Sequence, residues 1–202
     1  MIKIKALPVF ILILSAVAGC SSTPSSSNLG GTHFYSLSSM KPSSAVTANK
    51  ISIGIGPVEI PRLLNRPQIV SRKNKSEIIM SEKHQWGGSY KEELNKAITD
   101  NLSILLKTER IEQYPWKSTF KPDYQVRINI ESFDGDINSP TQRDVTLNAR
   151  WRLIKNDKEL LVKRALITVP LKNSGYAAYV NAQSEAINRF SHDIVAQIRK
   201  QP

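Results

Sequence analysis

Cys20 is the only cysteine in the 202-residue chain, and its setting gives the thiol a use. It closes the run Leu14-Ser15-Ala16-Val17-Ala18-Gly19-Cys20, behind Lys3, Lys5 and an apolar stretch from Ala6 to Leu14. That stretch is shorter than the roughly 20 residues that span a bilayer, so residues 1–19 read as a cleaved signal peptide. Small side chains at Ala18 and Gly19 admit a peptidase to the bond before Cys20. The thiol then receives a diacylglycerol and the freed amine an acyl chain. At about 0.8 kcal/mol per buried methylene, several chains hold a protein on a membrane where one does not. Ser21 and Ser22, with no Asp after the cysteine, match the pattern of lipoproteins sorted to the outer membrane of Gram-negative cells, facing the periplasm.

The other residues capable of chemistry do not form a constellation. Ser191-His192-Asp193 has the composition of a catalytic triad, but neighbours on a helix point about 100° apart and cannot converge. His33, His84 and His192 are scattered and no second cysteine joins them, so spacing gives no metal site. Asp134-Gly135-Asp136-Ile137-Asn138 opens like a calcium loop. Ser139 then stands at the position of the loop glycine and Val145 at that of the bidentate carboxylate, so a polar hairpin turn is the better reading. Gly54-Ile55-Gly56 lacks the third glycine of a dinucleotide loop and runs into Pro57 instead of a helix. No enzyme is expected, and no cofactor beyond the N-acyl and S-diacylglycerol groups on Cys20.

The chain carries 28 Lys and Arg against 17 Asp and Glu, and only Lys3 and Lys5 of these lie in the signal. A basic mature protein raises the question of nucleic acid. No base-stacking motif accompanies the charge, and a secreted lipoprotein meets little nucleic acid, so none is expected as a partner. Anionic phospholipid headgroups or an acidic partner surface fit better, as does a solvated basic surface with no partner.

The elements that must position any site follow from periodicity. Residues 20–50 read as the lipidated cysteine and a tether, interrupted by a strand-like segment near 33–37, since Ser, Thr, Pro, Gly and Asn cannot bury enough apolar surface to offset ordering. Residues 51–202 read as one globular domain. Ile51, Ile53 and Ile55 form a strand face that Pro57 helps to end. Short strands follow at Gln68–Ser71 and Glu77–Met80 around a polar turn at Asn74. Ser89-Tyr90-Lys91-Glu92 fits a capping box for a helix running to about Lys107, with Leu94, Ala97, Ile98, Leu102, Leu105 and Leu106 on its apolar side. Period two takes over at Tyr124, Val126, Ile128 and Ile130, and again at Val145, Leu147, Ala149, Trp151 and Leu153. A turn at Asn156-Asp157 leads to a strand over Leu160–Val169, and a last helix spans about Tyr176 to Lys200. The expected fold is α/β of the α+β kind: a largely antiparallel sheet with two main helices on one face.

Several segments resemble, in order, the PqiC-type ABC-transport auxiliary lipoproteins. They are Phe34-Tyr35-Ser36-Leu37, Gly56-Pro57-Val58-Glu59-Ile60-Pro61, Leu63-Leu64-Asn65-Arg66-Pro67-Gln68-Ile69-Val70, Gln85-Trp86, Phe133-Asp134-Gly135 and Ala149-Arg150-Trp151-Arg152-Leu153. Gly87-Gly88-Ser89-Tyr90 and Leu63 depart from the residues common there. The resemblance implies a domain without catalytic residues that forms a homo-oligomer, arranged as a ring. It implies an outer-membrane subunit of an intermembrane lipid transport system, docking to or capping a periplasm-spanning tunnel of mammalian-cell-entry (MCE) proteins of the PqiB-like type, with phospholipid as the cargo class. ATP hydrolysis belongs to a separate inner-membrane partner. A free-standing lipid-binding carrier with an apolar cavity under the sheet is the alternative.

The candidate interface is Ile60–Gln68, specifically Arg62, Leu63, Leu64 and Arg66. Pro61 and Pro67 restrict the backbone, and leucines beside arginines suit a partner surface with apolar anchors. The two leucines folding back as core is an equal reading. Trp86 is open in the same way between packing at the helix start and an exposed contact.

Overall fold

Alternation along the eleven-residue β6 (Tyr124–Asp134), interrupted by a register shift between Ile130 and Ser132, and along the twelve-residue β7 (Asp144–Lys155) organises this molecule. In the computed structural model, which describes residues 31–42, 49–74, 76–140 and 143–201, these strands pair antiparallel from Gln125 opposite Ile154 to Asp134 opposite Thr146. Val126, Ile128, Ile130, Val145, Leu147, Ala149, Trp151 and Leu153 all point to one side and are buried. β8 (Lys158–Pro170) pairs antiparallel with β7 along its whole length, and Asn156 and Asp157 adopt positive φ angles of 49° and 58° in the tight turn between them. On the other flank β2 (Ile53–Glu59) runs parallel to β6, and a three-residue β5 (Ile111–Gln113) runs parallel to β2. The sheet order is β5-β2-β6-β7-β8.

A second sheet has β4 (Ile78–Trp86) between β1 (His33–Tyr35), parallel to it, and β3 (Gln68–Arg72), antiparallel to it. The two sheets are joined where β6 ends. Arg72 Nε lies 2.6 Å from Asp134 Oδ1, and the Arg72 amide donates to the Gly135 carbonyl at 2.8 Å. The Asp134-Gly135 pair is thus a structural joint. A Cβ on Gly135 would lie 1.8 Å from the Asp144 carbonyl oxygen, so this position admits only glycine without a backbone shift.

Helices α1 (Tyr90–Leu106) and α2 (Tyr176–Ile198) cover one side, α2 against β7 and β8, with α1 beside it near β2 and β5. The expected stripes are the buried ones: Leu94, Ala97, Ile98, Leu102 and Leu106 on α1, and Tyr179, Ala186, Ile187, Phe190, Ile194 and Ile198 on α2. Phe190 meets Trp151 edge-to-face, with ring centroids 6.4 Å apart. The expected α+β architecture is present, and its two longest ladders are antiparallel.

Four local expectations change. The compact unit begins at Thr32, so the strand-like segment ahead of Ile51 belongs to the fold as β1. β2 does not stop at Pro57 but continues to Glu59. A register shift between Ile55 and Val58 accommodates the missing proline donor, as bulges do. The short strand expected at Glu77–Met80 runs instead from Ile78 to Trp86 as β4; at Gly54 of β2, Trp116 and Pro122 leave no room for a side chain. The capping box does not form. Ser89 makes no side-chain cap, and the nearby Glu93 carboxylate instead accepts from Ser36 Oγ at 2.7 Å and the Leu37 amide at 3.1 Å.

These contacts set expected stabilities. Trp151→Ala removes a fully buried ring and should cost about 3 to 5 kcal/mol. Arg150→Ala, on the wet face, should cost less than about 1 kcal/mol. Gly135→Ala should cost about 1 to 3 kcal/mol or more, because backbone must move to admit the methyl. Denaturant midpoints of the three variants check the order, and similar shifts for Trp151→Ala and Arg150→Ala would show the strand faces to be misassigned.

Candidate interaction surfaces

The segment between β2 and β3 is a compact turn. The amides of Leu64 and Asn65 donate to the Pro61 carbonyl at 2.9 and 3.3 Å, and the Arg66 amide donates to Leu64 O at 2.9 Å. The Trp86 amide then donates to Pro67 O at 2.7 Å, which fixes the turn to the end of β4. This geometry separates the four candidate residues. Leu64 points inward and is 4 % exposed, part of the core of the chain, while Leu63 is half-buried against that core. Arg62 is exposed, and half-buried Arg66 reaches the sulfur of exposed Met80. Beside them Asn65, Arg66, Pro67, Gly88, Ser89 and Tyr90 line an open groove of about 300 Å³. Arg62, Leu63, Arg66 and Met80 therefore form the accessible part of this surface. Trp86 is buried and stacks on Tyr90 with centroids 4.4 Å apart, which is packing at the helix start.

Residues 33–40 form a strap that the sequence only hinted at. Beyond β1, the Ser38 amide donates to Ser184 Oγ at 3.0 Å and the Met40 amide to Asn101 Oδ1 at 2.7 Å. Asn101 and Ser184 are buried polar groups on α1 and α2, and the strap backbone supplies their partners. The signal was available in retrospect: an Asn on the apolar side of α1 needs a partner from outside the helix.

Two of the three histidines come together through this strap. The register places His33 opposite His84, their rings stack 5.2 Å apart, and Tyr176 stacks on the other side of His84 at 4.0 Å. The Tyr35 hydroxyl bonds His84 Nδ1 at 2.8 Å. Burial, then the nearby His33 and Lys83, holds the His84 imidazole below its ordinary value. No group of three potential metal ligands exists among the described residues, and a pair of stacked imidazoles is a docking contact. His192 is exposed on α2, Ser191 donates to Ile187 O at 2.9 Å and Asp193 pairs with Lys163 at 3.0 Å, so the triad-like tripeptide diverges as expected. Hydrogen bonds from the Ser52 hydroxyl and amide lower the Asp123 carboxyl, which locks the start of β6 to β2. Cys20 lies outside the described residues.

The His84 shift has a direct consequence. Its native value is below the unfolded one, so between the two the unfolded chain binds more protons. The stability it contributes is present above pH 6.5 and is lost as pH falls through the native value. Acidification should therefore loosen β1, read as a lower protection factor of the Gly87 amide, which donates to Tyr35 O at 2.7 Å, after the intrinsic slowing of exchange in acid is divided out. His84→Phe should keep the stacking and lose this pH dependence. The same fall in protection in His84→Phe would assign the effect to another group.

With this geometry in place, comparison with other proteins is informative. No curated protein matches the chain. Among solved structures, an uncharacterised protein superposes with a TM-score of 0.69 at 16 % identity, covering 83 % of this chain and 99 % of its own. Protein XCC0632 from Xanthomonas campestris, of family DUF330, superposes with a TM-score of 0.67 at 14 % identity, covering 81 % and 93 %. At such identities these likenesses establish a shared fold. The model of one family, described as the ABC-type transport auxiliary lipoprotein component, matches residues 35–195, from within β1 to the last turn of α2. The chain belongs to the family of ABC-type transport auxiliary lipoprotein components.

Proposed function

We propose that this protein is a non-enzymatic outer-membrane lipoprotein subunit of an intermembrane phospholipid transport system. Acylated at Cys20 and facing the periplasm, it assembles with copies of itself as a ring and docks to or caps a tunnel of MCE proteins of the PqiB-like type. The observation that carries this reading is the family match over residues 35–195 in a chain that opens with a lipidation signal. Two further features support a docking role over a lipid-carrying one. Trp151, Tyr179, Phe133 and Phe190 are fully buried and occupy the space between helices and sheet where a carrier would hold its lipid. The turn carrying Arg62, Leu63 and Arg66 offers charged and apolar groups on a backbone held by hydrogen bonds, which lowers the entropy lost on binding.

Cys20→Ser should release a folded protein into the periplasm or leave an unprocessed precursor at the inner membrane, since no helix among the described residues is long and apolar enough to cross a membrane. Its retention in the outer-membrane fraction after a salt wash would reject the single anchor.

Leu63→Ser with Arg62→Glu should leave the fold intact and weaken docking to the tunnel protein by about 1.5 kcal/mol or more, roughly tenfold in Kd. Leu64→Ser should instead cost about 2 to 5 kcal/mol of folding stability. Pull-down with the tunnel protein, together with circular dichroism, separates the two. Native mass spectrometry of the detergent-solubilised protein tests the whole reading: a discrete oligomer is expected, and a monomer carrying phospholipid would replace it with the carrier.

A further inference from the structure

We infer that the free edge and outer face of β8 form the contact between copies of this chain. The inference rests on the oligomer of the preceding reading and assigns one of its contacts: a self-complementary edge joins copies in pairs, and a ring needs a second, different surface besides it. β8 ends the five-stranded sheet, and among the described residues no strand pairs with its far side. At about 3.4 Å per residue its thirteen residues make an edge of about 44 Å, a row of backbone donors and acceptors that commonly recruits another strand.

The side chains along this edge do not protect it. On the face turned away from the helices, Leu160, Val162 and Leu166 are 40 %, 47 % and 71 % exposed. Leu166 is the most exposed of the large apolar side chains among the described residues, and the three lie along one strand. Natural edge strands are usually blunted by shortness, bulges, charge or proline. β8 has a register shift beside Leu160 and ends in Pro170, but from Val162 to Leu166 its outward positions hold a single charge, Arg164.

The charges beside this row favour a second copy over a lipid surface. The register places Arg150 opposite Arg164 and Arg152 opposite Val162. Glu131 lies 3.3 Å from both Arg150 and Arg164, and Glu159 lies 3.2 Å from Arg152. Like charges directly opposite one another weaken a sheet, and half-buried Glu131 and exposed Glu159 compensate these arginines. Both signs therefore lie within one face, beside apolar side chains. An anionic bilayer would attract the arginines and repel Glu131 and Glu159. A second copy brings its own arginines to these glutamates and its own glutamates to these arginines. The turn carrying Arg62, Leu63 and Arg66 lies outside β8, so copies can meet along the edge while that turn remains available to the tunnel protein.

The test uses the full lipidated chain in detergent, with mass read by native mass spectrometry and backbone protection by hydrogen exchange. In the wild type an oligomer is expected, with β8 amides that exchange slowly. Leu166→Glu, and separately Val162→Lys, should shift the population to lower-mass species with at least tenfold weaker association and faster exchange confined to β8, while circular dichroism stays unchanged. Leu63→Ser should leave the mass as it is. An oligomer whose mass and β8 exchange survive both β8 variants overturns this inference and leaves the oligomeric reading standing. A wild-type monomer overturns both. A monomer whose β8 amides become protected on phosphatidylglycerol vesicles, or on adding the tunnel protein, assigns the edge to that occupant and overturns the contact between copies.

Discussion

The one-sided burial of β6 and β7 is the constraint on which the rest of this structure depends. Alternating apolar residues over both strands can be hidden only if a layer covers one face, and α2 supplies it, with Phe190 set against Trp151. Once that face is closed, the other must be polar or be covered by something else. The same pleat that buries Ala165 and Val169 turns Leu166 and Arg164 outward. The core and the exposed surface of the sheet are thus two consequences of one period-two pattern.

The strap at residues 33–40 ties the start of the described chain to this core. It adds a strand to the smaller sheet, and its backbone satisfies Asn101 and Ser184 on the two helices. Buried polar groups without partners would cost about 1 to 3 kcal/mol each, so strap and helices hold one another in place. His84, between His33 and Tyr176 and bonded to Tyr35, fastens the beginning of the strap.

Residues that could be mistaken for chemistry turn out to join elements. Asp134 and Gly135, which open like a calcium loop, connect the two sheets through Arg72. Asp123 holds β2 against β6 through Ser52, and Asp193 holds Lys163 of β8 against α2. Family resemblance at Phe133-Asp134-Gly135 and Ala149–Leu153 therefore reflects architecture. The surface available for partners lies elsewhere, on turns and edges that the core leaves open.

The sequence by itself determined both helices, the two long alternating strands and their buried faces, because those are local patterns of spacing and composition. It also carried the family, through segments in a recognisable order. Only tertiary structure decided the rest. The strand-like segment near 33–37 was legible, but its place as β1 beside β4, and the three-residue β5 beside β2, depend on hydrogen bonds those strands offer. Ser89 makes no side-chain cap, and Glu93, one residue beyond the expected box, instead accepts from Ser36 and Leu37, 57 and 56 residues away in sequence. Leu63 and Leu64 are indistinguishable in a sequence, and the turn at Pro61 sends one to the boundary of the core and the other into it. Spacing fixes which side chains share a face, and only the packed chain fixes which face meets water.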